Sequence, residues 1–394
     1  MRDTFLSFSP PAIGEDEIQE VVAALRSDWL TTGPRVALFQ ERFAEFVGAP
    51  RALALSSATA AMHVALAVMG IGPGHRVITT PMTFTSTVHV IEQVGARPVL
   101  VDVEQDTLNI DPARVESALA SDGGEVRAIM PVHLYGHPVE MDPILDLARR
   151  HHLAVIEDAA HALPARYRGR QVGTPAVAAG VVNLTAFSFY ATKNLTTGEG
   201  GMLTGPAEII DAARPWSLHG MSGDAHARYG SEGSWRYDVV LPGFKYNMTD
   251  MQAALGLQQL RRLPSLQARR VEIVARYNSA FGELGAVEIP AVREHVDPAW
   301  QLYVLRLKLD RLSIDRARFI EELRARNIGA SVHFIPVHMH SYYREKYGYR
   351  PEDFPIALAE FQRIVSLPLS PRLSDRDVDD VIEAVSEIVD RFGA

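Results

Sequence analysis

Asp158, Ser188 and Lys193 are the residues from which a chemistry can be read. Each lies at or just beyond a short apolar run: Val155-Ile156-Glu157-Asp158, then Ala186-Phe187-Ser188-Phe189, with Lys193 shortly after. An acid, a hydroxyl and a lysine delivered to one edge suit pyridoxal 5′-phosphate. The lysine forms a Schiff base with the cofactor's aldehyde. The carboxylate keeps the pyridine nitrogen protonated, so the ring absorbs electrons as a substrate's α-proton leaves. Proton transfer by the lysine needs a neutral amine, so burial must lower its pKa. Taken singly, each has an ordinary reading: a lysine is normally a solvated surface charge, and an aspartate a turn cap.

Flanking motifs supply what else such a ligand needs. Ser56-Ser57-Ala58-Thr59-Ala60 opens a helical pattern, and free N–H groups at a helix start attract phosphate. Ser57 or Thr59 serves equally as a plain cap. Phe84, in Pro81-Met82-Thr83-Phe84-Thr85, either stacks on a planar ring or fills the core. Gly198-Glu199-Gly200-Gly201 reads as a phosphate loop or as a close-packed turn.

The elements that must position these residues alternate. Ile18, Val21, Val22 and Leu25, then Val36, Phe39, Phe43 and Val47, repeat at helical spacing, the second stripe ending at Gly48. Strands are expected over 52–55, 76–80, 98–103, 126–132, 154–156 and 184–189. Helices are expected over 59–69, 86–94 and 142–150, with another opened by Asp111 and Pro112. Such alternation implies crossover units and a mostly parallel sheet. Its ligands bind beyond the carboxyl ends of the strands. Past about residue 249 the texture changes. Helical patterns cover 250–263 and 264–284, broken at Pro264. Strands over 301–309 and 331–334 and helices from Asp315 and Ser374 follow. The expected organisation is α/β: a large domain over 1–250, its mostly parallel sheet flanked by helices, and a smaller α+β domain over 251–394. The stretch 220–234 reads as a mobile loop.

A chain of 394 residues can bury a sizeable core. Its 39 Lys and Arg against 48 Asp and Glu leave a net charge of −9, a poor match to nucleic acid or anionic membrane. The absence of cysteine excludes disulfides, thiolate metal sites and a cysteine nucleophile. No run is long enough to span a membrane and no targeting pattern opens the chain, so a cytoplasmic location is expected. His151-His152 are adjacent on a helix, and His333, His338 and His340 lack a carboxylate partner, so no metal site is expected.

The strings SSATAAMHVAL, PMTFTST, VIEDAAHAL, FSFYATKNLTTGEGGML and FKYNMTDMQAALGLQQL resemble the DegT/DnrJ/StrS-type family of sugar-nucleotide aminotransferases, from about residue 10 onward. The resemblance implies the pyridoxal-phosphate transferase fold of type I and homodimers with active sites at the dimer interface. It implies that Lys193 is the Schiff-base lysine and proton shuttle and that Asp158 partners the pyridine nitrogen. Ser188, with Ala58, Thr59 and Ala60, would cradle the phosphate. Phe84 would stack on the ring, with Ala160 against its other face. His161 would stand near the phenolic oxygen, and Asn247 would reach the phosphate of the other subunit. Ala58 stands where many relatives have Gly, and Tyr190 where many have His. Relatives with His in place of the lysine are dehydratases, so Lys193 favours transamination. L-glutamate is the implied donor and a nucleotide-linked 4-keto sugar the acceptor. LHGM (218–221), the stretch 235–237 and HFIPVH (333–338) resemble the branch that makes UDP-4-amino-4-deoxy-L-arabinose. His338, Tyr342 and Tyr343 either line the sugar site or pack. The rival readings are dehydration or other chemistry on the same scaffold, and a non-catalytic regulator that keeps the fold.

Overall fold

The computed structural model describes residues 2–176, 180–222 and 237–393. Most of the expected loop over 220–234, and Trp235, lie outside the described residues.

Seven strands form the central sheet: β1 (Arg51–Leu55), β2 (Arg76–Thr79), β3 (Arg97–Leu100), β4 (Val126–Ile129), β5 (Ala154–Asp158), β6 (Asn183–Ser188) and β7 (Gly201–Gly205). Their order is β1-β7-β6-β5-β4-β2-β3, and within it β7 alone opposes its neighbours. β1 and β5 to β7 are buried almost throughout, as a sheet covered on both faces requires. Helices α1 (Glu15–Leu25) and α2 (Pro34–Val47) lead into it. Then α3 (Ala58–Val68), α4 (Ser86–Gln93), α5 (Pro112–Ser121), α6 (Met141–Arg150) and α7 (Ala207–Ser217) connect strands. Asp111 caps α5 as its sequence foretold, accepting from the Ala113 N–H at 2.8 Å.

The two leading stripes fare differently. On α2, Val36, Phe39, Phe43 and Val47 are all buried. Phe43 meets the edge of Phe187 at 5.1 Å on the sheet. Gly48 then ends the helix at φ 72°, a left-handed conformation that glycine adopts without strain. On α1, by contrast, Ile18 and Leu25 stay exposed, and the helix buries Glu17 and Ala24 instead. Arg262 pairs with Glu17 at 2.6 Å, so an ion pair rather than the apolar stripe seats α1.

The break expected at Pro264 is absent. α8 (Asp250–Phe281) runs through it as one helix of 32 residues. An interior proline costs about 3 kcal/mol, but Leu260, Leu263 and Leu266 around it are buried, and their packing outweighs the lost hydrogen bond. Ala253, Leu260 and Leu263 belong to the core shared with α2. Ile273, Val274, Tyr277 and Phe281 belong to a second core with Leu305, Val365 and Val381. That second core backs a three-stranded antiparallel sheet of Val287–Glu288, Tyr303–Leu307 and Ile364–Leu367. The strand expected over 331–334 keeps a single bridge, Ser331 to Ser366. Among the described residues no helix is long and apolar enough to cross a membrane.

Asp250 joins the start of α8 to the start of α2. Its carboxylate accepts the N–H groups of Gly33 and Val36 at 2.9 Å and of Arg35 at 3.1 Å. Gly33, at the cap position of α2, has no side chain to do this. Asp250→Ala leaves three amides without their acceptor and should lower stability by about 1–3 kcal/mol. Asp250→Asn should lower it less, as thermal unfolding of the three proteins will show.

Candidate active site

Register brings the anion cradle together. Gly201 of β7 pairs with Leu55 at the end of β1 on one side and with Ser188 at the end of β6 on the other. The start of α3 therefore lies beside Ser188, although 130 residues separate Ser188 from Ala58 in sequence (188 − 58 = 130). A Cβ on Gly201 would lie 2.3 Å from the Ser57 carbonyl carbon. One on Gly200 would lie 2.2 Å from Thr197 Oγ1. The glycine run is thus a close-packed turn that admits the helix start, not itself a phosphate loop. Ser57 Oγ takes the Ala60 N–H at 3.0 Å and caps α3. The Ala58 and Thr59 amides have no carbonyl one turn earlier, and both residues line a cavity of about 490 Å³. Ala60 does not line it, because its amide belongs to Ser57 and its side chain is buried.

Asp158 ends β5 on the same cavity. Its carboxylate accepts from Thr87 Oγ1 at 2.7 Å and from the Ala160 N–H at 3.1 Å. Alternation along a strand sends the preceding acid the other way. Glu157 meets His133 Nε2 at 2.6 Å and Asn183 Nδ2 at 2.7 Å, away from the cavity lining. Lys193 follows β6, and its backbone N–H donates to the Tyr190 carbonyl at 2.9 Å. Burial drives its amine down to about 8, against the opposing pull of Asp158. His161 faces the cavity with Nδ1 accepting the Tyr135 N–H at 3.2 Å. Burial, then the charges of Lys193 and His333, hold its pKa well below the ordinary value. The neutral ring therefore carries its proton on Nε2.

Phe84 is 61% exposed, yet it lines this cavity and touches the Phe334 ring at 5.9 Å. An aromatic left bare beside a buried carboxylate and a lysine is what a planar ligand would cover. Ala160 also lines the cavity. Among the lining residues that escaped the sequence reading as site residues are Phe8, Gln301, His333 and Phe334. His333 stacks on Phe8 at 5.3 Å and bonds Ser366 Oγ through Nδ1 at 2.9 Å. Burial and Lys193 lower it to about 4. No spacing rule links these residues to β5 and β6; packing between distant segments does.

Four expected residues lie elsewhere. Asn247 lines a second cavity of about 410 Å³ with Thr32 and Met221, and its Nδ2 donates to Thr32 Oγ1 at 2.7 Å. His338 and Tyr343 are buried in an apolar cluster with Val337 and Phe354. Tyr342 is exposed, donating to Glu92 at 2.5 Å. None of these three reaches the cavity of its own chain, because the helix Ser341–Tyr347 packs against α4 instead. Among the described residues no three His, Asp or Glu side chains converge as metal ligands.

The model of the DegT/DnrJ/EryC1/StrS aminotransferase family matches residues 11–386. The chain belongs to this family. It is 50% identical over 390 residues to the spore coat polysaccharide biosynthesis protein SpsC of Bacillus subtilis, covering 98% of each chain. The sugar aminotransferase Spr1654 of Streptococcus pneumoniae, described as putative, matches in its PMP form with a TM-score of 0.90 at 36% identity, covering 98% of this chain and 99% of that one. PseC of Helicobacter pylori, an aminotransferase of pseudoaminic acid biosynthesis, matches with a TM-score of 0.88 at 26% identity, over 99% and 100% of the two chains. The fold is that of these aminotransferases, and pyridoxal phosphate is the cofactor of the family. The donor set fits that group. The residues of the free amides, Ala58 and Thr59, line one cavity together with Ser188, Asp158, Lys193 and Phe84.

Two outcomes follow from this geometry. Gly201→Ala should displace the start of α3 and weaken retention of added pyridoxal phosphate at least about tenfold, read as cofactor absorbance after dialysis. At pH 7 about a tenth of the Lys193 amines are neutral, against about three in ten thousand for an ordinary lysine. Uptake of the aldehyde by cofactor-free protein should therefore rise with pH and level off above about 8 rather than above 10.5.

Proposed function

We propose that this family member moves an amino group from L-glutamate to the keto carbon, at position 4, of a nucleotide-linked sugar, as a cytoplasmic homodimer. The observation that carries the reading is Lys193: a buried amine, lowered to about 8, on the same cavity as Asp158. When bound, pyridoxal phosphate carries the amino group from donor to acceptor and draws electrons from the carbon that loses its proton.

The chain's own residues do the rest. The Ala58 and Thr59 amides and the Ser188 hydroxyl take the phosphate. Asp158, held by Thr87 and Ala160, keeps a proton on the ring nitrogen. His161 donates from Nε2 to an oxygen on the ring, since Nδ1 is already engaged. Phe84 and Ala160 confine the ring between them and exclude water. Lys193 accepts the proton from the donor's α-carbon on Nζ and returns it to the new carbon.

Two observations support a second copy at the site. The charged residues lining the cavity, among those described, are Asp158, Lys193 and Glu199, with no arginine. A sugar diphosphate and two carboxylates of glutamate need more cations than that. Asn247 lines a second cavity rather than this one, which suits contact with a neighbouring subunit's phosphate rather than its own.

Incubation with L-glutamate and a panel of UDP-, dTDP- and GDP-4-keto sugars tests the reading. At least one should release 2-oxoglutarate with an amino sugar, and Lys193→Ala should cut the rate by roughly a thousandfold or more. Loss of a sugar hydroxyl without 2-oxoglutarate would show dehydration instead.

A further inference from the structure

Lys193 sits in an irregular loop with no strand partner to fix it. What flanks it is one side chain. Gln301 Nε2 donates to the Thr192 carbonyl at 2.9 Å, and Gln301 Oε1 accepts the Asn194 N–H at 3.1 Å. The two bonds reproduce one rung of a sheet on either side of the lysine. Gln301 is 3% exposed and lines the cavity, so it makes both bonds away from competing water. Asn194 returns the contact, its Nδ2 donating to the carbonyls of Ala299 at 2.7 Å and Leu163 at 2.8 Å. The segment that holds Gln301 is itself tied down. Ala299 donates to the Gly136 carbonyl at 2.9 Å, and Leu302 to the Tyr135 carbonyl at 3.3 Å. Immediately afterwards begins the strand Tyr303–Leu307 of the smaller sheet.

We infer that Gln301 is a positioning residue for Lys193: its side-chain amide grips the backbone on both sides of the lysine and holds the amine at the cavity that Asp158 lines. The inference rests on the proposed role of Lys193 for its catalytic meaning, but the grip can be tested without any cofactor. Gln301→Leu keeps the bulk and removes both bonds. The loop then gains freedom, and the amine reaches water more often.

The experiment is competitive acetylation of cofactor-free protein across pH, with Lys193 followed by peptide mass spectrometry. The wild-type midpoint should fall near 8. In Gln301→Leu it should rise by at least about one unit toward the ordinary 10.4. Borohydride-fixed pyridoxal phosphate on Lys193, measured at pH 7, should drop about tenfold with it. Asp250→Ala is the control for lost stability alone and should leave the midpoint unchanged. An unchanged midpoint in folded Gln301→Leu would overturn the inference, as would an equal shift in Asp250→Ala. Wild-type protein that fixes the cofactor on another residue would overturn the functional reading, while the acetylation midpoint would still decide the role of Gln301.

Discussion

A lysine amine takes up a proton only when it is neutral, and near neutral pH a useful fraction is neutral only where burial or a neighbouring cation lowers its pKa. The structure meets that constraint at Lys193. Burial outweighs the attraction of Asp158 and brings the amine to about 8. Burial and the charge of Lys193 likewise hold His161 and His333 uncharged. Three groups that could each carry positive charge thus share one cavity with the carboxylates of Asp158 and Glu199. The chemistry depends on which of them stays neutral, and burial makes that choice.

Lining the cavity takes segments from the whole chain. The sheet supplies Asp158, Ser188 and Lys193 at one edge, and α3 supplies its free amides. The opposite wall comes from outside the sheet. Phe8 belongs to the N-terminal segment, where Leu6 pairs with Ile328. His333 and Phe334 lie beside the small antiparallel sheet. An apolar cluster that unites Met82 and Val88 with Leu302, Val337 and Tyr343 holds the two sides together. The buried histidine and tyrosine of HFIPVH and Tyr342-Tyr343 serve this packing. Their rings pack between elements of the chain.

Much of this was legible in the sequence. β5, β6 and the helix cap at Asp111 announce themselves through apolar runs and cap residues, because local backbone preference and burial agree there. Other positions were ambiguous for a physical reason. Either of Glu157 and Asp158 could have faced the ligand, and the strand's twofold alternation decided it. Gly198 to Gly201 could have bound phosphate, and the lack of room for a Cβ on Gly201 against the Ser57 carbonyl assigned that glycine to packing. Pro264 spoke for a break, but propensity is local, and the buried leucines on both sides override it. The stripe on α1 spoke for a core-facing helix, yet an ion pair between Glu17 and Arg262 orients it.

By itself the sequence determined the reactive types and their order: an acid and a lysine after two apolar strands, a helix start rich in small residues, an aromatic between them. Those follow from short-range patterns, which one dimension preserves. Only the tertiary structure decided that the amine is lowered to about 8, that His161 carries its proton on Nε2, and that Gln301, 108 residues beyond Lys193 (301 − 193 = 108), grips the loop. Dielectric, tautomer and clamp all arise from contacts between distant segments. A linear pattern names the groups that meet a proton; the packing around them sets where that proton rests.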